Sequence, residues 1–198
     1  MPTLAALFEM VRKSGNTQVR FNIETKLSPL QADETISPEA FVDALLGVIE
    51  REKMLHRVII HSFDWRTLKL IQQKYPMVPT VYISVQQKFA DNIAAIGNNA
   101  SHWTAGLNIN NFGGSVPKMV KYAGGAYWSV YFGDVNQAKI SEAQALGLRA
   151  LVWTVNEPQD IERMLDLKVD GIITDYPNRV REAMGKRGMR LPVSTTMR

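Results

Sequence analysis

An α/β domain with a parallel sheet and its helices packed outside is the fold this sequence predicts. Strand-like and helix-like stretches alternate along nearly the whole chain. Six strand segments separated by helical ones favour parallel pairing through right-handed crossovers. At 198 residues the chain buries one core of ordinary size and is short for two domains.

The first element is a helix, "LAALFEMVRKSG", which stops at Gly15. "QVRFNIET", residues 18–25, follows as a strand. In "SPEAFVDALLGVIEREKM" Ser37 is placed to cap the helix, and Pro38 takes the first helical position, where its missing N–H has no intrahelical partner to lose. "RVIIHSF" reads as a strand, "WRTLKLIQQKY" as a helix that Asp64 caps, and "PTVYIS" as the third strand. Then come a helix at "VPKMVKYAG", a strand at "GAYWSVY", a helix at "NQAKISEAQALG", a strand at "LRALVWTV", a helix at "EPQDIERMLDLK" and a strand at "VDGIITD". "PNRVREAMGKR" closes the series as a short helix.

Residues 86–116 break the rhythm, being too long and too rich in Gly and Asn for an ordinary connection. They follow a strand, so they sit at the C-terminal face of the sheet, where α/β proteins bind ligands. A loop insertion that shapes or covers a site is one reading; a tolerated surface excursion is the other.

The first strand carries two charges. With side chains alternating at period two, Val19, Phe21, Ile23 and Thr25 share one face, while Arg20, Asn22, Glu24 and Lys26 share the other. The apolar face meets the helices. The charged one is tolerable near the C-terminal mouth, where water, a metal or an anion satisfies it. Glu24 is a candidate hard-cation ligand and Lys26 a candidate anion partner, and a bare Glu24–Lys26 ion pair at the rim is the alternative.

Other residues stand out less. Trp153 lies late in an aliphatic strand, either walling a pocket or filling core. His61 ends a strand three residues before Asp64, a spacing with no catalytic precedent, and Asp64 reads as a helix cap. His56 and His102 read as surface residues. Asp170, Thr174 and Asp175 cluster around the last strand, with Asp175 a cap or a tether for the site. Dinucleotide, P-loop, zinc-protease and serine-hydrolase motifs are missing.

Composition narrows the class. The sequence has no Cys, which removes disulfides, thiolate nucleophiles and Cys-ligated metals. No window approaches the roughly 18 apolar residues of a membrane span, and "MPTLAALFEMVRKSG" has no secretory leader pattern. The net charge of +4 gathers in residues 179–198, where six Lys or Arg face the single acid Glu182. Without aromatics to stack on bases, residues 181–198 read as a solvated basic tail, with no nucleic-acid partner expected.

Three stretches together, "FNIETK", "IIHSFDWRTL" and "LVWTVNEPQDIERMLDLKVDGIITDYPNRV", resemble the glycerophosphodiester phosphodiesterases, in which such motifs occur in this order. "GGAYWSVYFGDVN" resembles the family too, and the likeness runs from Pro2 to about Val180. The resemblance implies a TIM-type (β/α)8 barrel. It implies hydrolysis of glycerophosphodiesters to glycerol 3-phosphate and an alcohol with Ca2+ or Mg2+. It matches Glu24 to a metal ligand, Lys26 to a phosphate-facing lysine, and Phe63 and Trp153 to pocket aromatics.

Members of that family begin with His-Arg, Glu-x-Asp and His-Asp motifs that supply two catalytic histidines and two more metal carboxylates; this chain lacks them. The expectation is therefore a barrel domain over residues 1–180 with about six of eight βα units. Metal binding is expected to be weak or absent, and hydrolysis by the chain alone negligible. Open sheet edges invite pairing with a second copy or a missing segment. A non-catalytic remnant that binds a phosphate ester or a partner chain is the alternative. The insertion and the "RFNIETKLSP" form resemble the periplasmic kind more than the cytoplasmic one.

Overall fold

Each strand-like segment of the sequence joins one sheet. The computed structural model describes residues 2–193. Helix α1 (Leu4–Lys13) leads into β1 (Phe21–Thr25); then follow α2 (Pro38–Arg51), β2 (Val58–Ser62), α3 (Trp65–Lys74) and β3 (Thr80–Ser84). A small antiparallel hairpin, β4 (Gln86–Gln87) and β5 (Ala90–Asp91), opens the long connection. The alternation then resumes with α4 (Val116–Tyr122), β6 (Tyr127–Tyr131), α5 (Gln137–Ala145), β7 (Arg149–Trp153), α6 (Pro158–Asp166), β8 (Gly171–Ile172) and α7 (Pro177–Lys186).

Among the described residues six strands pair in the order β1-β2-β3-β6-β7-β8, every neighbour parallel. Sequence order and spatial order agree, so the sheet grows by one crossover at a time and leaves β1 and β8 as its two edges. It curls: Phe63, just after β2, touches Trp153 of β7 although two strands separate them in the sheet. Six of the eight strands of a barrel are thus in place.

Period-two alternation sorts the faces as the sequence predicts. Phe21 on the outer face of β1 meets Phe8 of α1 edge-on, with ring centroids 4.8 Å apart. Ile60, Tyr82, Trp128 and Val152 are all at most 1% exposed among the helices. Large buried aromatics satisfy their polar atoms: the Trp65 indole donates to the Ile83 carbonyl at 3.1 Å, and that of Trp128 to the Ser84 hydroxyl at 2.8 Å. A hydroxyl cluster ties β1, β2 and α3 together, with Thr25 Oγ1 2.7 Å from Ser62 Oγ and 2.9 Å from Thr67 Oγ1.

Helix ends follow local chemistry. Ser37 accepts from the Ala40 N–H and Asp64 from the Arg66 N–H, as their positions predict. Asp64 is wholly buried and also takes the Arg66 guanidinium through both oxygens. β8 is only two residues long, shorter than "VDGIITD" suggests. Its Gly171 sits where a Cβ would come 2.7 Å from Leu151 Cδ2, so glycine is what lets this strand lie against β7.

The closing helix forms where "PNRVREAMGKR" predicts it. Helix α7 runs through residue 180, where the sequence puts the end of the barrel domain, and Ala183 is buried. Arg187 pairs with Glu162 and, at 2.8 Å, with Asp166 of α6. Residues 181–187 are therefore docked, because two acids four residues apart on α6 offer a matching charge that a local reading does not register. The tail's last residues, 194–198, lie outside the described residues.

Asp64→Ala removes a cap and strands a guanidinium at once. It is expected to cost at least about 1 kcal/mol, read as a lower urea midpoint with an unchanged slope.

Candidate active site

The C-terminal strand ends converge on one mouth, and Glu24, Lys26, Phe63 and Trp153 come together there. Glu24 ends the inward-facing row of β1, and Lys26 folds back so that its ammonium lies 2.8 Å from Glu24 Oε1. The two are unequal partners: the lysine side chain is 77% exposed and the glutamate 25%. A cleft of about 270 Å³ opens over the pair, lined also by Gln31, Glu34, Phe63 and Trp103. A roomier hollow of about 350 Å³, lined by the helix-facing residues Trp65 and Tyr82, holds no such charge pair.

Phe63 and Trp153 form the aromatic wall, edge to face with centroids 5.4 Å apart. The Trp153 indole donates to the Ser129 carbonyl at 3.3 Å, which fixes its ring. Trp153 is half-buried.

His61 lies opposite Glu24 in the β1–β2 register and is 7% exposed. Burial, with the Lys26 charge added, pushes its imidazole down to about 4, so it is neutral at ordinary pH. Its Nε2 has no hydrogen-bond partner among the described residues, nor has the Ser129 hydroxyl; Glu24 Oε1 has the Lys26 ammonium beside it and no further partner. All three face the barrel interior. Asp64 does not join His61, since Arg66 takes its carboxylate.

Asp175 tethers the mouth. It accepts from Asn156 Nδ2 at 2.8 Å, while Asn156 Oδ1 accepts from the Thr174 hydroxyl and the Asp175 N–H, which joins the loops after β7 and β8. Asp170 lies at the opposite end of the sheet, accepting from the Ala150 N–H at the start of β7. His102 is exposed and His56 falls in a turn before β2.

The sequence reading passed over Tyr131 and Trp103. Tyr131 faces Trp153 in register and its ring lies 5.5 Å away. Period two would have flagged it, since it shares the Ser129 face of β6.

A hard divalent cation takes six or more oxygen ligands. The mouth offers the single carboxylate of Glu24 on its strands, and no group of three His, Cys, Asp or Glu among the described residues is placed to hold a metal. These residues by themselves do not fit a resident Ca2+ or Mg2+.

The model of the glycerophosphoryl diester phosphodiesterase family matches residues 1–179. A glycerophosphodiester phosphodiesterase of Bacillus subtilis is 25% identical over 187 residues, covering 90% of this chain and 52% of its own length. A crystal structure from Silicibacter pomeroyi, named as a candidate glycerophosphoryl diester phosphodiesterase, superposes with a TM-score of 0.78 at 32% identity, over 96% of this chain and 58% of that one. A phosphodiesterase of Oleispira antarctica solved with sn-glycerol-3-phosphate shares the fold, with a TM-score of 0.66 at 16% identity over 93% of this chain and 61% of its own. The chain spans less than two thirds of each of these relatives.

His61 makes stability depend on pH. Above about pH 6.5 it is neutral folded and unfolded; between there and about pH 4 only the unfolded chain takes the proton. Stability is then expected to fall with pH by up to roughly 3 kcal/mol, as urea midpoints at pH 7 and pH 4.5 will show. Glu24 and Lys26 face the ring in both cases, and H61Q should flatten this dependence.

Proposed function

The chain belongs to the glycerophosphoryl diester phosphodiesterase family, and on that premise we propose that it forms the larger part of a metal-dependent hydrolase converting glycerophosphodiesters to glycerol 3-phosphate and an alcohol. The observation that supports this reading is the meeting of Glu24, Lys26, Phe63 and Trp153 at one mouth, although Glu24 and Trp153 are far apart in sequence.

Each residue has a role that follows from its chemistry. Hydrolysis of a phosphodiester builds negative charge on the phosphoryl oxygens, and the exposed Lys26 ammonium is free to swing from Glu24 towards them. The Phe63 and Trp153 rings exclude water from the alcohol and glycerol arms. Asn156 and Asp175 hold the Trp153 loop in place.

Acid–base catalysis and a cation both need groups beyond those described. We propose that two further βα units, inserted between β8 and β1, bring the remaining carboxylates and the histidine pair. That no three such ligands gather among the described residues favours a second reading, in which the chain by itself binds a phosphate ester without cleaving it. No described helix is long and apolar enough to cross a membrane. The long loop after β3 and the "RFNIETKLSP" form lead us to read the protein as the periplasmic kind.

The chain alone, given glycerophosphocholine and Ca2+ or Mg2+, is expected to release no glycerol 3-phosphate above background by phosphorus NMR. Release would overturn the division of the site between segments. Fusing the first two βα units of the Silicibacter pomeroyi relative ahead of the chain is expected to give divalent-dependent hydrolysis, which E24Q lowers by roughly 100-fold. A fusion that folds and binds yet stays inert would favour the binding-only reading.

A further inference from the structure

A second cavity lies on the helix side of the sheet, and the phosphodiester reading makes no use of it. This hollow of about 350 Å³ opens between α3, the end of α4 and the long connection after β3. Trp65, Lys69, Gln72 and Gln73 reach it from α3, at positions i, i+4, i+7 and i+8, which share one stripe of a helix. Trp65 and Tyr82, each 1% exposed, form its floor, and Tyr122, 73% exposed, stands at its rim.

The floor cannot fold into the space above it. The Trp65 indole donates to the Ile83 carbonyl at 3.1 Å, the Tyr82 hydroxyl donates to the Ala123 carbonyl at 3.0 Å, and the two rings meet edge to face with centroids 4.9 Å apart. Gly125 admits the Tyr82 ring, since a Cβ there would come 2.8 Å from Tyr82 Cδ2. The facing wall is fixed as well: Thr104 is fully buried and its hydroxyl donates to the Leu107 carbonyl at 2.6 Å. Between these anchored groups stand the small side chains of Ala105 and Ala123, which leave the volume unfilled.

Charge and shape narrow what fits there. Among the described residues that line the hollow Lys69 is the only charged one, and its ammonium has no ion pair or hydrogen bond among the described residues. The wider depression next to it shares Lys69, but its Arg66 is taken by Asp64 and faces Glu39. One unspent cation over an aromatic floor calls for one negative charge on a flat apolar body. A phosphate monoester brings about two charges against that single ammonium, and a wholly apolar ligand leaves Lys69 unused. The volume lies at the small end of ligand pockets, which run from roughly 300 to 1,000 Å³, and gives room for a fused pair of rings.

We propose that this hollow is a second ligand site, for a small aromatic carboxylate: Trp65, Tyr82 and Tyr122 enclose the ring system, and Lys69 pairs with the carboxylate at the rim. The site goes beyond the phosphodiester reading and does not rest on it. Among the described residues none lines both this hollow and the Glu24–Lys26 cleft, so either site stands if the other fails.

Isothermal titration of the full chain at low salt with 2-naphthoate and its neutral counterpart 2-naphthamide tests this. The naphthoate is expected to bind at least about threefold tighter than the amide. K69M should bring the two together by weakening the naphthoate alone. L107W, which fills the hollow, should abolish binding of both. Y122A alters an exposed side chain and so keeps the fold, and it should weaken both probes at least about threefold. Equal affinity of the wild type for the two probes, or binding of neither, overturns the proposal. So does binding that K69M, L107W and Y122A leave untouched. A naphthoate preference lost in K26M and kept in K69M puts the probe at the barrel mouth, which overturns the second site and leaves an anion-binding mouth in its place.

Discussion

Parallel pairing in a single register sends every second side chain of the sheet inward, and the rest of the molecule follows from what those inward positions hold. Glu24 pairs with His61 and Tyr131 with Trp153, so each pair arrives side by side towards the C-terminal ends of its strands. A slip of one residue on β1 would turn Glu24 towards the helices and Ile23 towards the mouth. The outward rows forbid that slip. Phe21 is locked against Phe8, and Thr25 is hydrogen-bonded to Ser62 and Thr67. The helix-facing core therefore sets the geometry of the site.

Much of this was legible in the chain. Caps such as Ser37 and Asp64 depend on a few neighbouring residues, and strand–helix alternation depends on local pattern, so both could be read directly. The inward direction of Glu24 came from period two alone. Its partner at the rim was readable for the same reason, since Lys26 is two residues away.

What could not be read depends on contacts distant in sequence. Nothing local says that Phe63 and Trp153 touch, because that contact exists only once the sheet curls. The docking of Arg187 on Glu162 and Asp166 escapes for the same reason. So does the neutrality of His61, which looks in sequence like an ordinary titrating histidine and becomes a desolvated one only in the folded interior. Tyr131 was overlooked although its parity was visible, because a tyrosine at a strand end carries no signal until Phe89 and Trp153 flank it.

The free edge of β1 has one more implication. Its inward row is Asn22 and Glu24, so any strand that pairs there must place its own inward residues beside the Glu24 carboxylate. If the two further βα units proposed above pair there, completing the sheet and completing the site are a single event. Any affinity of the mouth for an ion or a phosphate would then be thermodynamically linked to the affinity of β1 for its neighbour, each rising with the other.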